Sequence, residues 1–352
     1  MFEHVVVPLD GTEEAERALP VAARIAHATD GTLIVMSVVL PLVEFETSEV
    51  SRTVKPHPTE RQTRHERAPG YLDEVQQRYA PALEGVKTEQ VVAAGTASPT
   101  IFEEACLHGG DLVVLCSQGE SGLKNWIFGS VAKQAVCHRP VPAVLVLNEQ
   151  GVFPSFSLQE RLLRVLVPLD GSPLAETALE PTLRLMAALA GSTQTVLHLL
   201  EVVHLPLPYG RARTFSNVEK MMEEEEVQKA QSYLHDEMSH LLAHLPTRLN
   251  LTMTYSVVPG MDVAKAILAE TEPTEEEQEV KPYDLIAMTT HGWEEPRRLY
   301  VGSVTKQLLE TTRLPLLVMR SPDKETEQNE QQMRAIAAKL GLEGIRISQG
   351  KA

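Results

Sequence analysis

Val5-Val6-Val7-Pro8-Leu9-Asp10-Gly11 recurs as Val165-Leu166-Val167-Pro168-Leu169-Asp170-Gly171, an offset of 160. Each copy reads as a short apolar strand that ends on an acidic residue and a glycine, and each runs into a segment of helical period, Ala15 to Ala28 and Ala175 to Ala190. Further landmarks repeat in order. Val91-Val92-Ala93-Ala94-Gly95 answers Ser256-Val257-Val258-Pro259-Gly260 at offset 165. Gly119, Gly129-Ser130-Val131 and Pro142 answer Gly292, Gly302-Ser303-Val304 and Pro315 at offset 173. So many matched landmarks in one order mean an internal duplication.

The duplication organises 352 residues into a domain at 1–148, a linker at 149–160 that holds Gly151 and Pro154, a second domain at 161–320, and a polar tail at 321–352. In the tail, Met333, Ile336, Ala337 and Leu340 keep helical spacing. Within each copy, apolar runs alternate with helical segments, the pattern of βαβ units around a parallel sheet. The strands are expected near 4–9, 32–39, 88–94, 111–116 and 141–147, and near 163–169, 195–203, 249–258, 284–289 and 316–319. Their Val, Leu and Ile content fits strands covered on both faces. The fold reading is α/β: two doubly wound, five-stranded parallel-sheet domains. The connection 41–68 reads as a loop. In 219–242, Met222, Ala230, Leu234, Met238 and Leu241 form a stripe suited to core packing.

Composition excludes several classes. The 32 basic and 48 acidic residues leave a charge of −16, which disfavours nonspecific nucleic-acid binding. The longest nearly apolar stretch, Leu33 to Val43, falls short of the roughly 20 residues that span a bilayer, so no membrane partner is expected. The first residues lack the basic and apolar regions of a secretory leader. Cys106, Cys116 and Cys137 are sparse and lack zinc spacing, which suits a reducing cytoplasm. The acidic run Glu270 to Glu279 reads as a solvated loop or helix end.

In doubly wound sheets, ligands bind beyond the carboxyl ends of the strands, where strand order reverses. Asp10 and Asp170 each close a first strand. A carboxylate there can accept from an amino group or sugar hydroxyl, or can cap the next helix. Gly119 with Gly129-Ser130, and Gly292 with Gly302-Ser303, follow the fourth strands. Such glycines admit close backbone approach, and a Gly-Ser pair opening a helix offers amides, a hydroxyl and the positive dipole end to phosphate; a tight turn with a capping serine explains the same residues. Lys133 and Lys306 follow in Gly-Ser-Val-x-Lys-Gln, which is not a Walker A loop, and read as solvated lysines. Cys116, Cys106 and Cys137 read as packed rather than reactive. No metal-ligand cluster, Ser-His-Asp order or acid/base pair stands out in both copies.

Val-Pro-Leu-Asp-Gly at each domain start, Gly95 and Gly260, and the Gly-x9-Gly-Ser-Val blocks together resemble the universal stress protein family in its tandem form. The resemblance covers about 1–148 and 161–320. It implies a stress-response protein that binds ATP or another adenine nucleotide, with or without Mg, and signals through conformation or partners rather than catalysis. Gly119, Gly129, Ser130, Val131, Gly292, Gly302, Ser303 and Val304 would hold phosphates. Asp10 and Asp170, with the Val38 and Val202 backbones, would hold adenine. It also implies an intramolecular pseudo-dimer through the final strands, with a homodimer of tandem chains left open. ATP-binding members read Gly-x2-Gly-x9-Gly-Ser/Thr, whereas Cys116 and Thr289 stand at the first glycine here. The alternative is a tandem interaction module that has lost nucleotide binding in one or both domains. Slow ATP hydrolysis is a third reading, without an identifiable base.

Overall fold

A computed structural model describes residues 2–39, 58–116, 141–147, 162–191, 193–203, 217–244, 250–272, 283–290 and 302–320. They fall into two compact units. In the first, β1 (His4–Leu9), β2 (Thr32–Val39), β3 (Lys87–Ala94), β4 (Leu112–Cys116) and β5 (Ala143–Leu147) are ordered β3-β2-β1-β4-β5, all parallel. In the second, β6 (Leu163–Leu169), β7 (Thr195–Val203), β8 (Leu251–Pro259), β9 (Leu285–Thr290) and β10 (Leu316–Arg320) repeat that order as β8-β7-β6-β9-β10. The strand expectations hold to within two residues at each boundary.

Continuous apolar runs produce the central strands: Val5, Val6, Val7, Leu33 to Met36 and Leu112 to Val114 are fully buried, as are Val165 to Val167. The third strand of each unit departs from that pattern. β3 and β8 are mostly exposed or half-buried, because Lys87, Glu89, Gln90, Thr252 and Thr254 alternate with less polar neighbours.

The helix expected after each first strand comes in two pieces. In the first unit α1 (Glu13–Glu16) gives way to α2 (Ala18–Ala28); its counterparts in the second are Pro173–Glu176 and Leu179–Ala190. The reason is a proline. Pro20 cannot donate to the Glu16 carbonyl, nor Pro181 to that of Thr177. The chain tightens instead: Arg17 N–H donates to Glu14 O at 3.3 Å and Thr177 N–H to Leu174 O at 3.2 Å. Beyond the breaks, Leu19, Ile25, Leu185 and Leu189 bury against the sheet.

The expected loop at 41–68 is partly corrected. Residues 40–57 lie outside the described set, but Pro58–Arg78 is a helix, α3. Ala68, Leu72 and Val75 form its buried stripe, and a reading that stopped at the polar run missed it. In the second unit the expected stripe lies on Asn217–His244, where Ala230 and Leu234 are buried while Met238 and Leu241 are half-buried; the Met222 side chain lies outside the described residues. α4 (Ala80–Leu83), α5 (Ala97–Leu107), and in the second unit Val263–Thr271 and Ser303–Thr311 complete the helices among the described residues. In chain order the second unit's helices are α6 (Pro173–Glu176), α7 (Leu179–Ala190), α8 (Asn217–His244), α9 (Val263–Thr271) and α10 (Ser303–Thr311). No helix among the described residues is long and apolar enough to cross a membrane.

Candidate functional site

β1 neighbours both β2 and β4, so the strand order reverses beside Asp10, and by the same pairing beside Asp170. Gly11 and Gly171 turn the chain there with φ of +90° and +75°, a conformation open to glycine and costly for other residues. The turn leaves both aspartates exposed.

Neither aspartate caps the helix. Thr12 and Ser172 do, each accepting from the amide three residues on, Ala15 and Ala175, at 3.2 and 3.1 Å. Asp10 Oδ1 instead accepts from the Thr12 amide at 3.0 Å and hydroxyl at 2.6 Å. Asp170 does the same with Ser172 at 3.1 and 2.6 Å. One oxygen of each carboxylate is thus spent holding the turn, which fixes the direction of the other. A braced, exposed carboxylate at a strand-order switch is suited to accepting from a ligand.

The second strand runs past this point to Val38 and Val202, both half-buried. Gly95 and Gly260 end the neighbouring strands and donate to Val39 O at 2.8 Å and Val203 O at 3.0 Å. A Cβ on Gly260 would stand 3.0 Å from Val202 Cγ1, and one on Gly95 would collide with Thr100 Oγ1 at 2.0 Å. Both glycines therefore keep the third strand tight against the site.

At the fourth strand, Cys116 and Thr289 direct side chains to the helix break. Burial pushes the Cys116 thiol up to about 12, Asp10 adding to it and Arg17 opposing, so it is a poor nucleophile. Thr289 Oγ1 lies 3.3 Å from Thr177 Oγ1. Gly302, Ser303 and Val304 begin α10, with Gly302 at its N-cap, no side chain capping it, and the Gly302 amide 3.4 Å from the buried Thr290 hydroxyl. Ser303 is exposed, and so is Lys306, as a solvated lysine should be. Gly119, Gly129, Ser130, Val131, Lys133, Cys137 and Gly292 lie outside the described residues, as do the linker and tail. Cys106 is on a helix but exposed rather than packed, because it faces away from the buried Ile101, Phe102 and Ala105.

The turn is clamped from behind by residues that reading the sequence missed. Glu16, 2% exposed, accepts from the Tyr71 hydroxyl at 3.2 Å and Arg78 Nη1 at 2.6 Å. Burial first, then Glu16, raises the Tyr71 phenol, which also lies by the Gly11 amide and in the field of Asp10. In the second unit Tyr233 donates to Glu176 at 3.1 Å. The signal was present: Glu16 and Glu176 keep the 160 offset of the two aspartates.

At the opposite end of the sheet, Asp111 accepts from the Glu3 and His4 amides at 3.0 and 3.2 Å, and Asp284 from Arg164 N–H at 2.9 Å. These repeated acids hold strand starts. No group of three His, Cys, Asp or Glu among the described residues is placed to hold a metal ion.

Comparison with known proteins agrees with this fold. The profile of the universal stress protein family matches residues 1–146 and again 162–320. Universal stress protein YxiE of Bacillus subtilis is 27% identical over 147 residues, 42% of this chain and 99% of that protein. A universal stress protein of Mycobacterium tuberculosis is 25% identical over 238 residues, 67% of this chain and 69% of its own length. A solved universal stress protein of Archaeoglobus fulgidus shares the fold at TM-score 0.55 and 18% identity, covering 91% of this chain and 99% of that one. The chain belongs to the universal stress protein family, in its tandem two-domain form.

Proposed function

We propose that this chain is a cytoplasmic stress-response protein that binds ATP or another adenine nucleotide and signals through conformation or partners rather than by catalysis. The observation that carries the reading is the duplicated Asp-Gly turn: an exposed carboxylate, braced by the following hydroxyl residue, at the strand-order switch of each unit. In this reading Asp10 or Asp170, with the Val38 or Val202 backbone, receives the adenosine moiety. Gly302, Ser303 and Val304 at the uncapped start of α10 receive phosphate, as Gly119, Gly129, Ser130 and Val131 would in the first repeat, and Gly292 completes the second. Mg, where it accompanies the polyphosphate, would neutralise part of its charge.

Isothermal titration with ATP and ADP tests it. Heat that saturates in the micromolar to millimolar range is expected; none at millimolar nucleotide sinks the reading. A second reading, an interaction module without nucleotide in one domain, is favoured by Thr289, whose hydroxyl meets Thr177 where the family pattern has glycine.

The domain limits 1–148 and 161–320, the linker 149–160 and the tail 321–352 belong to the same proposal, with the repeats pairing through their final strands as a pseudo-dimer. Light scattering on the eluting chain distinguishes a single tandem chain from a homodimer.

A further inference from the structure

The two candidate clefts differ in charge at one register position. On the second strand, the residue before the valine expected at adenine is Ser37 in the first unit and Glu201 in the second; they pair with Leu9 and Leu169, the residues before the two aspartates. Ser37 is small, neutral and buried. Glu201 is half-buried, and its Oε2 is shut off from solvent without a hydrogen-bond partner.

An unsatisfied carboxylate oxygen in a partly desolvated place is costly, and two further acids aggravate it. Burial, then Asp170, then Glu226 of α8 raise the Glu201 carboxyl above its ordinary range. Glu201 pairs with Leu169, the residue before Asp170, and so lies beside the aspartate that the nucleotide reading uses. Asp170 Oδ1 accepts from Ser172, and a carboxylate has no hydrogen to offer Glu201. Two carboxylates at adjacent strand ends repel added negative charge, and partial burial weakens the screening that would relieve them.

We propose that Glu201 is a specificity-determining residue that weakens the second cleft's hold on phosphate charge, so that ATP fills the first cleft first and the second prefers an uncharged nucleoside. This rests on the nucleotide reading of the clefts. A nucleoside occupies the cleft without bringing a polyanion towards Glu201 and Asp170.

The test is calorimetric titration of the full chain with ATP and, separately, adenosine. One ATP per chain is expected, lost in Asp10→Ala and kept in Asp170→Ala. Glu201→Ser, which copies the first cleft, should tighten ATP at the second cleft by at least about tenfold, giving two tight sites per chain, and the Asp10→Ala/Glu201→Ser double variant should keep one. Glu201→Gln should give an intermediate gain, since it keeps the shape and removes the charge. Adenosine, which carries no charge, should bind the second cleft of the unmodified chain and change little in Glu201→Ser.

Two equivalent ATP sites in the unmodified chain would overturn the inference while leaving the nucleotide reading intact. So would a single site that Glu201→Ser leaves single. Absence of ATP heat in both the unmodified chain and Glu201→Ser would overturn the reading and the inference with it. All substituted positions are exposed or half-buried, and circular dichroism confirms that each variant is folded before titration.

Discussion

The two units share a strand order and a turn, yet polar groups are buried in different places. At the register position where β2 carries the fully buried Ile34 opposite Val6, β7 carries His198 opposite Leu166. His198 Nδ1 lies 2.7 Å from Thr254 Oγ1 and Nε2 2.9 Å from Ser256 Oγ; Glu270 of α9 lies 3.4 Å from Nε2 and accepts from Ser256 at 3.1 Å. Tyr283 stands 5.7 Å from the imidazole, under the Arg164 guanidinium at 4.9 Å. The first unit places its buried Glu16 beside the Asp10-Gly11 turn, paired with Tyr71 and the half-exposed Arg78. Duplicated backbones thus fix where strands and turns go, and a tyrosine–glutamate bond ties down α3 in the first unit and α8 in the second, while the second adds a polar hold on α9.

The largest effect should come from the clamp. Glu16→Ala removes the acceptor of the half-buried Tyr71 hydroxyl and the partner of Arg78, and should cost about 2 kcal/mol, less than a fully buried pair because Arg78 is half-exposed. Glu176→Ala removes only the Tyr233 bond and should cost about half as much. Hydrogen exchange read by segment checks this: protection should fall in α3 for the first variant and in α8 for the second. Equal losses would mean that the clamps are equivalent despite the arginine.

Acid should separate the units next. Hydrogen bonding to His198, then its charge and the Ser256 bond, outweigh burial and hold the Glu270 carboxyl below the ordinary carboxylate range. A carboxyl whose folded pKa is depressed contributes stability above its unfolded pKa, near 4.5, and loses it as pH falls through the folded value. Glu201 and Glu237 are shifted the other way, so the contribution is read as a difference. Stability of the unmodified chain minus that of Glu270→Gln should be about 1 kcal/mol at neutral pH and should shrink below pH 4.5. A difference flat with pH would remove Glu270 from the account.

These contacts mark how far the sequence was legible. Asp10, Asp170 and the strand ends were readable because backbone geometry demands them: apolar runs, a glycine at positive φ and a repeat that aligns them. The helix breaks were readable in principle from Pro20 and Pro181, whose missing N–H groups act on residues close by. Glu270 was misjudged as a solvating charge because it heads an acidic run, whereas its role depends on His198, 72 positions away and brought close only by the β7–α9 arrangement. Asp10 was weighed as a cap because Asp caps helices well; the next hydroxyl residue took that position, a choice of one bond geometry over another that composition cannot rank. Local rules survive folding, and long-range polar pairing is what the linear reading lacks.

Capping offers the smallest and most local contrast. Asp262 opens α9 and accepts from the Lys265 amide at 3.1 Å, with Lys265 Nζ at 3.1 Å and Gln307 at 3.4 Å. Its counterpart Thr96 opens α5 without a side-chain bond. Removing a side chain that satisfies an orphan amide frays the first turn, whereas removing one that satisfies none does not. Asp262→Ala should therefore speed amide exchange in the first turn of α9, while Thr96→Ala leaves α5 unchanged. The loss at α9 should extend to Glu270 at its far end only if the helix and the His198 network open together. Faster exchange confined to the first turn would show that the network holds α9 by itself; faster exchange throughout would show that cap and network form one cooperative unit, which the first domain, with an uncapped α5 and an isoleucine in place of the histidine, does without.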